Sequence, residues 1–405
     1  MNKLRYFLTL SLSLLLFLTV RADYGNEAIA EFLRTNGVPA NSVAVKIIDL
    51  SNGKVIGSHN EESPLIPASI MKSVTTAALL GKSGPDWKYQ TRVYIDGPND
   101  LGYLRGNIIV TGACDPTVNS GKLPYSPDLV VEICKALESL LIDRVEGSII
   151  IDDSEFAGPP RPASWTAADT KRDYGTGSHA FNYSDNTSGS SSVMNPSSVF
   201  IKELKKEMEA RGIELEDKEL ISGRKIQILN HNSAPIDEIM RSCMMRSDNM
   251  FAEAMLRTYG KFEGGDGSTE DAAKREYQLW KSKKMPLEGV VIIDGSGLSR
   301  QNKVTANFMA EMLKSMSKNP YYASFFPLAG QEGTLKKFLK DTELDSYIAM
   351  KTGSMTGIQC YAGYKFDDNY SPTHVIVIIM NDIPGDRQKA VNAAQKMLLT
   401  VFGNQ

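Results

Sequence analysis

The chain of 405 residues carries 45 Lys and Arg against 48 Asp and Glu, a formal charge of −3, and 42% of its residues are apolar. A mildly acidic balance excludes a general nucleic-acid binder, which needs a basic face, while the apolar share suffices for packed cores in two or three domains. The four histidines, His59, His179, His231 and His374, are scattered without ligand spacing, so no metal site and no cofactor are expected.

Lys3 and Arg5 precede an apolar run from Phe7 to Val20, and Val20-Arg21-Ala22 stands before Asp23. This is the layout of a secretory signal peptide over 1–22, and it predicts an exported protein of the periplasm or cell envelope. The run is too short for a membrane span, so none is expected after cleavage. Losing Lys3, Arg5 and Arg21 takes the formal charge from −3 to −6.

Asn26 to Asn36 reads as a short helix with Ile29, Phe32 and Leu33 on its apolar face. Two β-type runs, Ser42 to Leu50 and Lys54 to His59, are joined by Ser51-Asn52-Gly53, a hairpin signal. An apolar helix follows, with Pro67 as its first-turn proline and Gly81 as its stop. Beyond Trp87 come strand-like Thr91 to Ile95 and Leu104 to Thr111, a helix near Pro127 to Ile142 and a strand near Gly147 to Ile151. Asp152 to Ser198 is a long polar stretch, and its Trp165, Tyr174 and Phe181 favour an ordered functional loop.

A helix near Val199 to Arg211 and a strand near Lys225 to Asn230 lead back to helical patterning from Pro235 to Tyr259, interrupted at Ser247-Asp248-Asn249, where Ser247 is the expected N-cap. The end of the chain reads as strands at Ile348 to Thr352, Gln359 to Phe366 and His374 to Met380, then a helix from Arg387 to Phe402. Strands at both ends with helices between them predict one sheet completed by the two termini. The organisation expected is a catalytic domain from 23–86 and 225–405, with 87–224 inserted. Cys114, Cys134, Cys243 and Cys360 allow three disulfide pairings or none; four buried thiols fit equally well.

Ser69-Ile70-Met71-Lys72 opens the apolar helix. Residues three apart on a helix are neighbours, so the Lys72 amine is expected beside the Ser69 hydroxyl, where a lysine kept neutral by burial can serve as base. Alone the motif says little, since Ser315-Met316-Ser317-Lys318 repeats it, and Ser-x-Asn recurs elsewhere than at Ser247, as at Ser184 and Ser317. Lys351-Thr352-Gly353 occurs once, on a β-type run where glycine is disfavoured unless something approaches the backbone closely.

In order, Ser69-x-x-Lys72, Ser247-x-Asn249 and Lys351-Thr352-Gly353 form the motif set of penicillin-binding proteins and serine β-lactamases. The chain resembles more particularly the class C, low-molecular-mass group, the D-alanyl-D-alanine carboxypeptidases and endopeptidases related to penicillin-binding protein 4. In that group a long insertion separates the first two motifs, and here Ser247 follows Ser69 by 178 positions. The likeness extends to Gly112 through Thr117, Asp152-Asp153-Ser154, Tyr174-Gly175, Asp294 through Arg300 and Gly333-Thr334-Leu335, although Ala113-Cys114 stand where glycines are usual.

The resemblance implies an α/β (α+β) fold of the penicillin-binding transpeptidase type: an antiparallel sheet flanked by helices, a helical lobe, and a mixed α/β domain inserted between the first and second motifs. It implies Ser69 as nucleophile, Lys72 as its base, and the Ser69 and Ser354 N–H groups as oxyanion hole. Ser247 would pass a proton to the leaving amine and Asn249 would hold a substrate amide. Lys351 and Thr352, with Gly353 on the same strand, would bind the terminal carboxylate, the Lys351 charge helping to keep Lys72 neutral. Asp152 and Arg300 match positions that read the penultimate diamino acid; the bland alternative is a turn cap and a surface ion pair. The partners implied are peptidoglycan stem peptides and, as covalent inhibitors, β-lactams. A serine β-lactamase would need an added carboxylate base, for which no equivalent is found, and a penicillin sensor would need a signalling span. A homo-oligomer is left open.

Overall fold

The computed structural model describes residues 24–124, 127–218, 220 and 223–403; the expected signal peptide at 1–22 lies outside them. The chain opens with helix α1 (24–35) and the hairpin β1 (Val43–Asp49) and β2 (Val55–His59). A 3₁₀ turn at Ala68–Ile70 runs straight into α2 (Met71–Ser83). Gly81 does not stop this helix: the chain continues one turn to Gly84, whose φ of 72° is the left-handed ending that glycine supplies without strain.

The inserted portion follows, with β3 (Gln90–Ile95), β4 (Ile108–Thr111), α3 (Leu129–Ser139), β5 (Ile149–Asp152), α4 (Pro196–Ala210) and β6 (Ile226–Asn232). Its sheet runs in the order β6-β3-β4-β5, with β4 and β5 parallel. α3 and α4 cover it, burying Ile133 and Leu137 with Phe200 and Leu204 against Val93, Ile108 and Val110. The strand β6, placed by sequence in the catalytic portion, pairs along β3 from Ile226↔Ile95 to Asn232↔Gln90, so the inserted sheet extends beyond 224.

The chain then forms α5 (Ile236–Arg246), α6 (Asn249–Phe262), α7 (Thr269–Ser282) and α8 (Ala306–Met316), and returns as β7 (Ile348–Met355), β8 (Ile358–Phe366), β9 (Pro372–Met380) and α9 (Arg387–Phe402). The main sheet is antiparallel in the order β7-β8-β9-β1-β2, so the two ends of the chain meet where β1 pairs with β9, from Val43↔Met380 to Asp49↔His374. Period-two alternation divides its residues. Val375, Val377 and Ile379 of β9 join the core under α2, α5, α6 and α8, and Ile376, Ile378 and Met380 join α1 and α9 on the other face. Each such side chain contributes about 1.5–3 kcal/mol on burial, which fixes the register at the edge strand β7 that carries Lys351.

The four cysteines are free and buried. Among the described residues no helix is long and apolar enough to cross a membrane.

Candidate active site

The site lies where the start of α2, the α5–α6 junction and the strand β7 converge. Ser69 stands in the 3₁₀ turn, following Ala68, which has a φ of 47°; a non-glycine residue is strained there, and the turn holds the serine out of the helix interior. Lys72 is fully buried, and its Nζ lies 2.9 Å from Ser69 Oγ. Lys72 also donates to Asn249 Oδ1 at 2.6 Å and to the Ser296 carbonyl at 2.7 Å. Burial lowers the Lys72 pKa below the ordinary lysine range, against the opposing pull of Cys243, Asp294, Asp248 and Glu253.

Ser247 does not cap the following helix. It ends α5 in the left-handed conformation, φ 59°, and Asp248 is the N-cap, accepting from Phe251 N at 3.0 Å. This left-handed step turns Ser247 toward the strand, where Lys351 donates to its Oγ at 2.9 Å and to the Thr352 carbonyl at 2.8 Å. Lys351 is also fully buried, and burial, then the neighbouring Lys72, holds its pKa well below the usual range. Burial is thus the first cause of the depression at both lysines.

β7 is an edge strand whose free side is covered only at one end. Met350 N–H donates outward to Pro327 O at 3.2 Å and Ala329 N–H donates to Ile348 O at 2.8 Å. Alternation along the strand aims the Thr352 and Ser354 N–H groups to the same free side, where an extended peptide can add as a further strand. Gly353 faces the serine turn: a Cβ there would lie 2.5 Å from Pro67 O and 3.1 Å from Ser69 N. The glycine therefore lets the serine turn lie close against the strand, next to Ser354. Arg387 at the start of α9 donates to Ser354 Oγ at 2.5 Å and to Met355 O at 2.9 Å, bracing this end of the strand.

Ser69, Lys72, Ser247, Asn249, Lys351, Thr352, Gly353 and Ser354 are therefore gathered in one cluster. Arg300 lies beside it, its Nη2 donating to Thr356 O at 2.9 Å just past β7. Asp152 is engaged elsewhere, at the end of β5, where its carboxylate accepts from Ser154 Oγ at 2.6 Å and pairs with Lys225 at 3.2 Å. The repeated motifs are bystanders: Ser315 Oγ donates to Met312 O within α8, and Ser184-Asp185-Asn186 is a turn in the inserted portion. Among the described residues no cluster of His, Cys, Asp or Glu is suited to a metal.

The sequence profile of the D-Ala-D-Ala carboxypeptidase 3 (S13) family matches residues 25–189 and 176–401. The chain belongs to the S13 family. It is a D-Ala-D-Ala carboxypeptidase, similar to the carboxypeptidase DacB of Mycolicibacterium smegmatis, 26% identical over 80% of this chain and 73% of that protein. The D-alanyl-D-alanine carboxypeptidase DacB of Haemophilus influenzae is 21% identical over 85% of this chain and 87% of its own. The crystal structure of penicillin-binding protein 4 from that organism superposes with a TM-score of 0.79 at 18% identity, covering 93% of this chain and 99% of the other. A predatory peptidoglycan endopeptidase from Bdellovibrio bacteriovorus shares the fold at a TM-score of 0.59 and 15% identity, over 91% and 94% of the two chains.

Some contacts of the S13 site carry no sequence signature. The Ser296 carbonyl that receives Lys72 and the Tyr174 carbonyl that receives Asn249 Nδ2 at 2.8 Å are backbone atoms. Thr334, which donates or accepts across 2.8 Å with Thr352 Oγ1, belongs to the Gly333-Thr334-Leu335 segment that the family resemblance marks. Lys122 from the inserted portion pairs with Asp248 at 2.6 Å and Asp185 at 3.2 Å, tying the α6 cap to that portion.

Proposed function

We propose that this carboxypeptidase is exported and removes the terminal D-alanine from peptidoglycan stem peptides through an acyl-enzyme on Ser69, that it also cleaves D-amino-acid cross-links as a DD-endopeptidase, and that β-lactams acylate the same serine. The observation that carries the reading is the Lys72 amine, buried, with two acceptors, Asn249 Oδ1 and Ser296 O, and the Ser69 hydroxyl as its third neighbour. A neutral amine has two N–H groups and one lone pair, so with both N–H groups engaged the lone pair faces the Ser69 O–H.

Ser69 Oγ then attacks the carbonyl of the penultimate D-alanine while its proton passes to Lys72, and the oxyanion is received by the Ser69 and Ser354 amides. The C–N bond breaks as Ser247 delivers a proton to the departing amine, replenished from the Lys72 side of the hydrogen-bonded cluster. Water, deprotonated by the same lysine, releases the acyl group and restores Ser69. Lys351 and Thr352 take the terminal carboxylate, and that negative charge favours the protonated Lys351 that burial alone disfavours. β-Lactam recognition is supported by penicillin-binding protein 4 of H. influenzae, which was solved in complex with a β-lactam.

Intact mass after incubation with a penicillin tests the reading. The expected result is one adduct that peptide mapping places on Ser69; label on Ser184 or Ser315, or none, overturns it.

A further inference from the structure

Beside Lys72 lies a group of buried carboxyls that the reaction above does not use. Glu253 sits one turn after Asn249 on the same face of α6 and is fully buried. Its Oε1 accepts from the Ser296 N–H at 2.8 Å, and the Ser296 carbonyl in turn accepts from Lys72 at 2.7 Å. One turn of α6 therefore grips the lysine twice, directly through Asn249 and indirectly through Glu253 and the Ser296 backbone. The loop is pressed hard onto the helix: a Cβ on Gly295 would lie 2.7 Å from Ala252 O.

From these contacts we propose that Glu253 is a positioning residue for Lys72, acting through the Ser296 backbone with Glu276 of α7 at its side. The inference rests on the assignment of Lys72 as base.

The charges in this pocket are unequal. Asp294 accepts from Gly297 N, Ser299 N, Asn302 Nδ2 and Trp165 Nε1, all within 2.8 Å, so each of its oxygens holds two donors. Glu253 Oε2 and both oxygens of Glu276 are poorly satisfied among the described residues: the Thr75 hydroxyl lies beside Glu276 but is shared with Gly295 O, to which it donates at 3.1 Å. Buried carboxylates so placed are costly in the ionised form. Burial, then the charge of Asp294, pushes Glu253 up to about 8, and burial, then Glu253, does the same to Glu276. The groups facing Glu253 are Lys72 from α2, Glu276 from α7 and Asp294 from the loop; on its own helix Arg257 follows one turn later, its guanidinium given to the Gly267, Ser178 and Ala157 carbonyls, and Asp248 precedes it, itself paired to Lys122.

A proton on Glu253 keeps a second anion away from Lys72. When that proton leaves, the ammonium form of Lys72 is favoured and its lone pair is withdrawn from Ser69. Glu253→Gln retains an acceptor for Ser296 and removes this second charge for good.

The test is the pH dependence of penicillin acylation by the full chain, followed by intact mass, for the unaltered protein, E253Q, E253A and E276Q, with thermal denaturation of each. E253A is expected to lose about tenfold or more in acylation rate and E253Q to recover most of it. The acid limb of E253Q should coincide with that of the unaltered protein at its foot, where Glu253 carries its proton, and reach its plateau about half to one unit lower in pH, a gain of roughly threefold to tenfold where Glu253 ionises, from about pH 8 upward; E276Q, which leaves the Ser296 bond intact, should shift it less in the same direction. Equal losses in E253Q and E253A with an unmoved limb, or a limb moved in neither E253Q nor E276Q, would overturn the inference while leaving Lys72 as base. Failure of the unaltered protein to acylate on Ser69 would overturn the proposed function itself.

Discussion

Trp165, in the loop of the inserted portion, donates its indole N–H to Asp294 Oδ2 at 2.8 Å, and both side chains are buried. Asp294 organises the loop that offers Ser296 to Lys72, so Trp165 helps to hold the loop that contacts this lysine. Trp165→Phe keeps the ring and removes the donor. A hydrogen bond to a charged acceptor contributes about 1.5–3 kcal/mol, and thermal or denaturant unfolding should report a loss of that size. Acylation should slow with it, because the loop that presents the Ser296 carbonyl loses one of its ties. Unchanged acylation in a destabilised protein would confine the contact to folding.

Lys72→Ala should abolish acylation of Ser69 without unfolding the protein, as read by intact mass and circular dichroism, for no histidine lies in the cluster to replace it. In the unaltered protein, acylation should rise with pH through the Lys72 pKa, which burial places below the ordinary lysine value of 10.5. The same shift has a stability consequence. A lysine whose folded pKa is depressed binds fewer protons folded than unfolded, so it destabilises the fold at pH below its folded pKa, and that penalty is relieved as pH rises from there to the unfolded value. Lys72→Met should remove this pH dependence from unfolding curves. Lys351→Ala should instead raise KM chiefly for substrates with a free terminal carboxylate.

The side-chain part of this site was legible because Ser69, Lys72, Ser247, Asn249 and Lys351 sit at fixed spacings on elements whose periodicity is plain. What the sequence hid is backbone. The carbonyls of Ser296 and Tyr174 belong to no motif, and the left-handed turn of Ser247 looks like an ordinary cap until Asp248 is seen accepting from Phe251. Gly81 and Gly84 are both credible stops, and only packing decides between them. The strand β6 has no local mark of its partner: pairing across more than 130 positions to β3 is a tertiary choice. Asp152 matched a substrate-reading position by resemblance, but Lys225, in a charged stretch without a motif, takes its carboxylate.

Gly353→Ala should be among the most damaging small changes in the chain. Its Cβ would stand 2.5 Å from Pro67 O, a backbone atom that cannot swing aside, so the serine turn and β7 must separate. The Ser69 and Ser354 amides would then no longer converge, and loss of one oxyanion donor costs about 100-fold to 1,000-fold in rate. Acylation kinetics should show that loss, with secondary structure retained. A fall of less than about tenfold would mean that the two amides do not act as a pair.

The last prediction concerns the side chain of the penultimate diamino acid. Arg300 is exposed beyond the end of β7, held by one N–H to Thr356 O, and the rest of its guanidinium is available to a carboxylate on a peptide lying along the strand. Asp152 is bound to Lys225 and Ser154, so the acid half of an acid–base pair is already committed. Arg300 is therefore expected to read a carboxylate, as meso-diaminopimelate provides and acetylated lysine does not. Losing a charge-assisted contact costs about 1.5–3 kcal/mol, so Arg300→Ala should lower kcat/KM for a diaminopimelate-containing D-Ala-D-Ala peptide by about tenfold or more and leave the acetyl-lysine peptide much less affected. Asp152→Asn should disturb both alike, because it weakens a tie within the inserted portion. Equal loss on the two peptides in Arg300→Ala would show that this arginine only braces the turn at Thr356, and selective loss in Asp152→Asn would show that its ion pair with Lys225 opens to admit substrate.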